Sequence, residues 1–292
     1  MKKDAERIVM TGASGRLGRM LLAYWPEDAP PLIPLDRASF DLSMSVEEMR
    51  AAFESAAPDL ILHLAGVTPT GPKPASEADF QALNTAAAIR VMEAAKTPVF
   101  LASSASVYGG KHAKVHELSP LDPPSPYAQS KADADRAAEA HRHVTVLRYP
   151  TIAGADQLLQ NALKAREKNP LRLDRFPDGG APRRAYIGPR DLAHIHAALA
   201  KALLSEQELP PVLNLASPRP VAMDRLLNAF ANATGRSIPW VWKPAGDSAI
   251  RELAFDTRRL SRFYRFDGSG AGATAIANQA ADWFKRDGQL DA

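Results

Sequence analysis

The feature that most constrains the fold is a glycine-rich loop at residues 11–18 (TGASGRLG), between a predicted strand and a predicted helix. The apolar run 8–10 (IVM) precedes it, and Leu17, Met20 and Tyr24 recur after it at helical spacing. Glycines at such a junction allow a sharp turn, a close approach of the backbone to a pyrophosphate and close packing of the helix. The free N–H groups of the helix N-terminus then face the phosphates. The loop therefore predicts a dinucleotide-binding strand–loop–helix unit.

Asp36 supports the same interpretation and bears on the choice of cofactor. It ends a second apolar run, 32–35 (LIPL), at about the distance where an acidic residue binds the 2′-hydroxyl of a ribose. A carboxylate at this place favours NAD. Arg37 comes next in the chain and could meet the 2′-phosphate of NADP, so NADP stays open as the alternative.

Strand-like and helix-like segments alternate through the first half of the chain, which predicts an α/β fold. We expect a Rossmann-type doubly wound parallel sheet with helices on both faces, and a smaller C-terminal substrate-binding lobe. The NAD(P)-binding domain is predicted at 1–150, with 188–217 returning to it, and the lobe at 151–187 and 218–292.

The same pattern gives two local expectations. Residues 77–95 are Ala-rich with apolar residues near one stripe, which predicts a single long helix. Pro34 lies inside the second apolar run and cannot donate to a strand ladder, so that strand is expected to begin after Pro34 or to bulge there.

The composition disfavours several other classes of protein. The 292 residues include no cysteine, which excludes disulfides, thiol catalysis and thiolate metal sites. No apolar run could span a bilayer and the start lacks a signal-peptide core, so we expect a cytoplasmic protein without a membrane partner. The net charge of +3 is too small to favour nucleic acid. The pairs His141/His143 and His194/His196 do not share a helical face, so no metal site is expected.

Positive charge is concentrated in one segment. Residues 161–190 hold eight basic and three acidic side chains, Arg183 and Arg184 among the basic ones. Such a cluster is either a solvated face or a subsite for an anionic group of a substrate.

A second set of residues could transfer a proton. Tyr127 and Lys131 stand four apart in a predicted helix and so share one face. A phenol titrates near pH ~10, and a neighbouring ammonium is expected to lower that pKa toward neutrality. Ser104 comes directly after a predicted strand, where loops line the ligand crevice of a doubly wound sheet. Together these residues could move a proton while a hydride moves to or from a cofactor.

These motifs resemble the extended short-chain dehydrogenases/reductases, also called the NAD-dependent epimerase/dehydratase family, over nearly the whole chain. The matching stretches are the TGxxGxxG loop at 11–18, the HxAG stretch at 63–66, the helix asparagine Asn84, the catalytic Ser104, the YxxxK pair Tyr127 and Lys131, the LRYxN-type segment at 147–150, Tyr186-Ile187 followed by Asp191, and the strand at 214–217.

The resemblance implies reversible hydride transfer at a carbinol carbon of a sugar or nucleotide sugar, ending as epimerisation or as net oxidation or reduction. Tyr127 would be the general acid/base, Ser104 would orient the reacting oxygen, and Lys131 would hold the nicotinamide ribose. Candidate cofactor-binding residues are Gly12, Ser14, Gly15, Arg16, Leu17, Gly18, Asp36, Arg37, Asp41, Leu42, Leu64, Ala65, Gly66, Asn84, Ala102, Ser103, Tyr127, Lys131, Tyr149, Pro150 and Ile152. Candidate substrate-binding residues are Thr68, Ser106, Thr151, Arg183 and Arg184.

Departures from the family pattern keep other functions open. Thr151 stands where sugar-nucleotide epimerases often carry Asn, Thr68 where some carry Lys, and 188–189 is Gly-Pro in place of His-Val. These departures favour an alternative, an NAD(P)-dependent reductase or dehydrogenase of a small non-nucleotide carbonyl compound. A non-catalytic dinucleotide-binding regulator is the other alternative, against which the intact Ser104, Tyr127 and Lys131 argue.

The resemblance also bears on the reaction subclass and on assembly. The 4,6-dehydratases follow their catalytic Thr with Asp-Glu, whereas Ser104 is followed by Ala105-Ser106, which disfavours a dehydratase. The predicted helices 77–95 and 127–140 resemble the pair that forms a four-helix dimer interface in this family, so a homodimer is expected.

Overall fold

The computed structural model describes residues 6–71, 73–110, 113–247, 249–267 and 271–291. The strands are β1 (Ile8–Thr11), β2 (Leu32–Pro34), β3 (Leu60–His63), β4 (Val99–Ser104), β5 (Lys114–Val115), β6 (Val144–Tyr149), β7 (Thr151–Ile152), β8 (Leu171–Arg175), β9 (Arg183–Arg184), β10 (Tyr186–Ile187), β11 (Val212–Asn214), β12 (Val221–Ala222), β13 (Trp240–Pro244) and β14 (Glu252–Phe255).

The α-helices are α1 (Arg16–Tyr24), α2 (Val46–Ala56), α3 (Glu77–Phe80), α4 (Ala87–Ala94), α5 (Pro126–Ala138), α6 (Gln157–Lys164), α7 (Pro189–Leu204), α8 (Met223–Thr234) and α9 (Ala273–Arg286). A π-helical segment (Gln81–Ala86) joins α3 to α4, and 3₁₀ turns lie at Ala105–Tyr108 and Leu260–Arg262. The chain divides into two compact units.

The first unit, Met1–Gly109 with Pro120–Tyr149 and Ala193–Leu213, is built on a six-stranded sheet of order β2-β1-β3-β4-β6-β11. The pairs β1–β2, β1–β3, β3–β4 and β4–β6 are all parallel. Every residue of β1 and β3 is buried, as expected for a sheet covered on both faces. The predicted α/β fold with a doubly wound sheet is confirmed. Since β2 and β3 lie on opposite sides of β1, the strand order reverses at β1, and the loop after β1 starts at this topological switch point.

Local sequence accounts for the ends of the helices beside this sheet. Ser45 accepts a hydrogen bond from the Glu48 N–H while the Glu48 side chain accepts one from the Ser45 N–H, which is a capping box at the start of α2. Ser125 caps α5 through the Ala128 N–H, and Pro126 occupies the first helical turn, where it loses no hydrogen bond.

Two local expectations were wrong. The strand β2 does not begin after Pro34 but includes it as its last residue, because β2 is an edge strand where a missing N–H donor is tolerated. The predicted single helix at 77–95 is interrupted by the π-helical segment. Segments of this kind widen the helix by one residue and occur frequently at functional sites.

The second unit comprises Gly110–Ser119, Pro150–Leu192 and Asn214–Ala292. It contains a four-stranded sheet of order β12-β9-β14-β5 and two-stranded pairs of β10 with β7 and β13 with β8. Its helices α8 and α9 meet through the rings of Phe230 and Phe284, whose centroids are 5.6 Å apart. In the part of the chain that the structure describes, no helix has the length and apolarity to cross a bilayer.

Candidate active site

The glycine loop between β1 and α1 is packed so tightly at Gly12 and Gly18 that a side chain at either position would clash. Gly12 has φ +75°, and a Cβ there would lie 2.6 Å from Ala65 N. A Cβ on Gly18 would lie 2.5 Å from Gly12 O, so this glycine lets α1 pack closely against the loop. Gly15 caps α1 without a side chain, and no acidic residue occupies the first turn. The helix N-terminus is therefore open to an anion.

A buried polar pair joins the loop to the neighbouring strand end. His63 Nδ1 and Thr11 Oγ1 are 2.8 Å apart, and Thr11 Oγ1 accepts a second hydrogen bond from Ala65 N at 3.4 Å. Burial lowers the pKa of His63 to about 3, and the nearby Lys131 charge acts in the same direction. His63 is therefore neutral at physiological pH and acts as a structural hydrogen-bonding partner. The loop 64–66 after it contains the candidates Leu64, Ala65 and Gly66.

Asn84 lies in the π-helical segment and clamps the backbone after Gly66. Its Oδ1 accepts from Val67 N at 2.8 Å, and its Nδ2 donates to Val67 O at 3.0 Å. Nδ2 also lies 3.2 Å from the hydroxyl of Ser130, which in turn donates to Tyr127 O at 2.8 Å. This residue thus connects the loop after β3 to the helix that carries Tyr127 and Lys131.

The acidic residue after β2 has a defined orientation at an exposed site. Asp36 Oδ1 accepts from Ser39 N at 2.9 Å and from Ser39 Oγ at 2.6 Å, and these bonds lower the pKa of Asp36. The adjacent Arg37 is exposed. Asp41 accepts from Ser43 in the same way, and Leu42 O accepts from Arg90 at 2.6 Å, so the local contacts of these two candidates are with the chain itself.

Ser104 and Tyr127 come from two elements and are brought into contact. The Tyr127 phenol lies close enough to the Ser104 side chain for that hydroxyl to act on the phenol pKa, and Ser106 Oγ lies 2.9 Å from Ser104 Oγ. Burial raises the pKa of Tyr127, and the Ser104 hydroxyl lowers it by less. The expected lowering of this pKa by Lys131 was wrong, because burial outweighs the other effects at the phenol.

Lys131 is 8% exposed, and its ammonium donates to the carbonyl of Ala102 at 3.0 Å. Burial lowers its pKa to about 8, while the charge of Asp135 acts in the opposite direction. Lys131 Nζ would also lie 3.8 Å from a Cβ on Gly66. The ammonium therefore sits between the ends of β3 and β4, at the carboxyl edge of the sheet where ligands bind in doubly wound folds.

Three buried residues beside this group were missed from the sequence. Asp135 Oδ2 accepts from Arg148 Nε at 2.8 Å, and Arg148 Nη1 donates to the Tyr108 hydroxyl at 2.8 Å. Asp135 stands four residues after Lys131, and Arg148 lies within the LRYP segment, so their spacing carried a signal. The sequence did not show that the two charges pair.

The remaining candidates are distributed over both units. In the first unit, Arg16 Nη2 donates to Thr70 O at 2.6 Å, Thr68 is exposed, and Tyr149 hydroxyl lies 2.7 Å from His196 Nε2. Ser14 and Leu17 belong to the glycine loop, and Ser103 is buried on β4. In the second unit, Pro150 is followed by Thr151 and Ile152, which form β7.

The two arginine candidates are neighbours on β9 in the second unit, so their side chains point to opposite faces of its sheet. Arg183 Nε pairs with Glu252 at 2.8 Å and is therefore partly neutralised. Arg184 is half-buried, and burial lowers its pKa. Within the described ranges no cluster of His, Cys, Asp or Glu could hold a metal ion.

The space beside Gly188 in the second unit is filled by a side chain from α9. A Cβ on Gly188 would overlap the side-chain amide of Gln279 in α9. That amide accepts from the N–H groups of Arg190 and Asp191 at 3.0 and 3.1 Å and donates to Asp191 Oδ2 at 2.6 Å. The Tyr264 hydroxyl donates to the other oxygen of Asp191 at 2.9 Å. Gln279 thus caps the start of α7 in the space that a larger residue at 188 would need.

The first unit fits a dinucleotide in its chemistry. The loop after β1 has glycine at the positions where a Cβ would clash, and it leads into a helix N-terminus that is open to a phosphate. The loop also starts at the topological switch point of the sheet, where dinucleotides bind. A carboxylate stands after β2 and a buried ammonium after β4. These groups match the phosphate, ribose and nicotinamide-ribose contacts that the sequence predicts.

Comparison with known proteins finds similarity to UDP-glucose 4-epimerases. The chain is 29% identical over 241 residues to a UDP-glucose 4-epimerase of Neisseria meningitidis serogroup C, covering 70% of this chain and 69% of the relative. The UDP-Glc/GlcNAc 4-epimerase of Campylobacter jejuni shares its fold with a TM-score of 0.79 at 20% identity, over 96% of this chain and 99% of that one. A UDP-glucose 4-epimerase of Brucella ovis in complex with NAD gives a TM-score of 0.77 at 19% identity, over 98% and 99% of the two chains.

A family model matches most of the chain. The model described as the NAD dependent epimerase/dehydratase family matches residues 8–216, which is well over half of the chain. The chain therefore belongs to the NAD dependent epimerase/dehydratase family, the extended short-chain dehydrogenases/reductases, and is an enzyme that uses NAD.

Proposed function

We propose that this enzyme interconverts a carbinol and a carbonyl carbon of a nucleotide sugar, with Tyr127 as general acid/base and hydride transfer to NAD. The observation that carries the proposal is the contact between Tyr127 and Ser104 beside the buried Lys131 ammonium. The UDP-glucose 4-epimerase relatives support a nucleotide sugar as the substrate class.

The roles of the chain's own residues come from their chemistry. Ser104 holds the reacting oxygen, and Tyr127 takes or returns its proton at the phenol oxygen. Lys131 binds the nicotinamide ribose. Asp36 accepts from the adenosine ribose. When bound, NAD would supply the hydride acceptor, and its positive ring would favour the phenolate.

The two residues after Ser104 favour epimerisation over dehydration. Elimination of water from the sugar needs its own acid and base, and 105–106 is Ala-Ser with no carboxyl group. Thr68, Ser106, Thr151, Arg183 and Arg184 are proposed to contact the substrate, with Arg184 available to an anionic group. We further propose a cytoplasmic homodimer.

The experiment compares Tyr127→Phe with the unchanged enzyme on UDP-sugars, following epimer formation and NADH absorbance. The variant keeps the ring, which packs edge-on against Phe80 at 5.6 Å, and removes the transferable proton. Turnover is expected to fall by roughly 100- to 10,000-fold with little change in NAD affinity. Tyr24→Phe, at the far end of α1, is the matched control and should retain turnover.

Other outcomes separate the alternatives. Full turnover by Tyr127→Phe would contradict the assigned mechanism. Turnover of free sugars or small carbonyl compounds, with none of nucleotide sugars, would establish the small-carbonyl alternative. Tight NAD binding with no turnover of any compound tested would favour the regulator.

A further inference from the structure

We propose that Asp135 is a positioning residue that keeps the Lys131 ammonium charged and in place, through its buried ion pair with Arg148. The inference rests on the proposed function only where it assigns Lys131 to NAD. Asp135 is one helical turn beyond Lys131 on α5, so the two side chains share a face.

The ion pair of Asp135 and Arg148 is buried. Asp135 is 4% exposed and Arg148 5% exposed, and their 2.8 Å contact joins α5 to β6. Burial raises the pKa of Asp135, while the Arg148 charge acts in the opposite direction. A buried pair of this kind is often no more stable than apolar residues of the same size. Stability alone therefore does not explain the pair.

Asp135 supplies a negative charge to an otherwise positive site. Lys131 is faced by the Ala102 carbonyl from β4, by His63 from β3 and by Asp135 from its own helix, and Tyr127 stands four residues before it on α5. His63 and Tyr127 are neutral at physiological pH, since burial lowers the pKa of one and raises that of the other. Arg148 adds a permanent positive charge from β6. The carboxylate of Asp135 is thus the charge that opposes loss of the Lys131 proton.

The same pair reaches the segment that carries Ser104. Arg148 donates to the Tyr108 hydroxyl at 2.8 Å, and its guanidinium carbon lies 4.8 Å from the centroid of that ring. Tyr108 ends the 3₁₀ turn that begins at Ala105, directly after Ser104. Arg148 on β6 therefore contacts both α5 and the turn that follows Ser104.

Removal of the carboxylate has a defined consequence for the cofactor. In Asp135→Asn two buried cations, Lys131 and Arg148, are left without their counter-ion. Lys131 then loses its proton at a lower pH than in the unchanged enzyme. The fall in NAD affinity with rising pH therefore also begins at a lower pH. An opposite charge this close typically moves a pKa by about one to three pH units.

The test measures NAD affinity from about pH 6.5 to about pH 9.5, a range that brackets the lowered pKa of Lys131. The unchanged enzyme should lose affinity as the pH rises through about 8, the pKa of Lys131. Lys131→Met should bind more weakly at every pH without that midpoint. Asp135→Asn should lower the midpoint by about one pH unit or more. Asp133→Asn, which removes a more exposed carboxylate on the same helix, is the matched control and should leave it unchanged.

A second readout needs neither cofactor nor sugar. The pKa of Lys131 is lowered on folding, so the folded chain loses this proton first, and the stability contributed by this group rises with pH from about 8 toward 10.5. Urea unfolding measures that rise as the difference in unfolding free energy between the unchanged protein and its Lys131→Met variant at each pH. With Asp135→Asn as the background, the rise should begin at lower pH.

The outcomes distinguish the inference from the proposed function. Unchanged midpoints in a folded Asp135→Asn would overturn the role of Asp135 and show that the ion pair is structural. If Asp135→Asn does not fold, the apolar double variant Asp135→Leu with Arg148→Met replaces it. Because this variant also removes the positive charge of Arg148, its midpoint must shift in the same direction but by less. A flat NAD profile in the unchanged enzyme would contradict the assignment of Lys131 to NAD, and the unfolding series then decides on Asp135. Shifted midpoints in an enzyme that turns over no sugar would support Asp135 and contradict the proposed function.

Discussion

Asp36 presents its carboxylate at the exposed end of β2, oriented by two hydrogen bonds from Ser39. We expect Asp36→Ala to weaken NAD by roughly 10- to 100-fold, since a hydrogen bond to a charged group contributes about 1.5–3 kcal/mol. NADP should be affected less or bind better, because its 2′-phosphate is repelled by the carboxylate. Fluorescence titration with both dinucleotides measures this, and NADP is the internal control. An equal loss for both, or tighter NADP binding by the unchanged enzyme, would contradict the role of Asp36.

At the level of residues, spacing predicted which side chains meet but not how they change one another's chemistry. The spacing of Tyr127 and Lys131 placed them on one face of α5, and the structure has them so. The expected effect of Lys131 on the phenol was wrong, because the ammonium donates to the Ala102 carbonyl and burial dominates at Tyr127. Burial depends on residues far away in the chain, which helical periodicity does not report.

Among the elements, the junction of the glycine loop with α1 gives the sharpest prediction. A Cβ at Gly18 would come within 2.5–2.7 Å of the Gly12 and Ala13 backbone, so the helix must move away from the loop. Gly18→Ala should destabilise the fold by roughly 1–3 kcal/mol, the usual cost of overpacking, and weaken NAD by displacing the helix N-terminus. Gly246→Ala is the control, because nothing lies within 4 Å of its Cβ. Urea unfolding and NAD titration would contradict the prediction if Gly18→Ala matched that control.

Elements were predictable where a local pattern is long enough to carry them. The helices α7 and α8 carry such local signals, since proline near the start of one and glycine after the other mark their ends. The two-residue strands β5, β7, β9, β10 and β12 were not predicted, because their partners are distant in sequence and two residues show no alternation. The π-helical segment was missed because its apolar stripe reads as ordinary helix.

For the whole molecule, we expect a homodimer that pairs the helices from α3 to α5. Light scattering at micromolar concentration should give about twice the chain mass of 31.5 kDa. Ala82 is exposed in the π-helical segment of this predicted interface, so Ala82→Arg should shift the mass toward that of one chain. Ala51→Arg, exposed on α2, is the control and should leave the mass unchanged. A monomer in the unchanged protein would remove the prediction and leave the fold as described.

The position of the Gln279 side chain beside Gly188 limits which substitutions this chain can accept. Because Gln279 is tied by hydrogen bonds to the start of α7, it cannot simply swing aside to admit a side chain at position 188. The two positions are therefore coupled, because a side chain at 188 fits only if the residue at 279 is shorter than glutamine. Shortening 279 first removes the cap of α7. Substitution at either position alone is thus disfavoured.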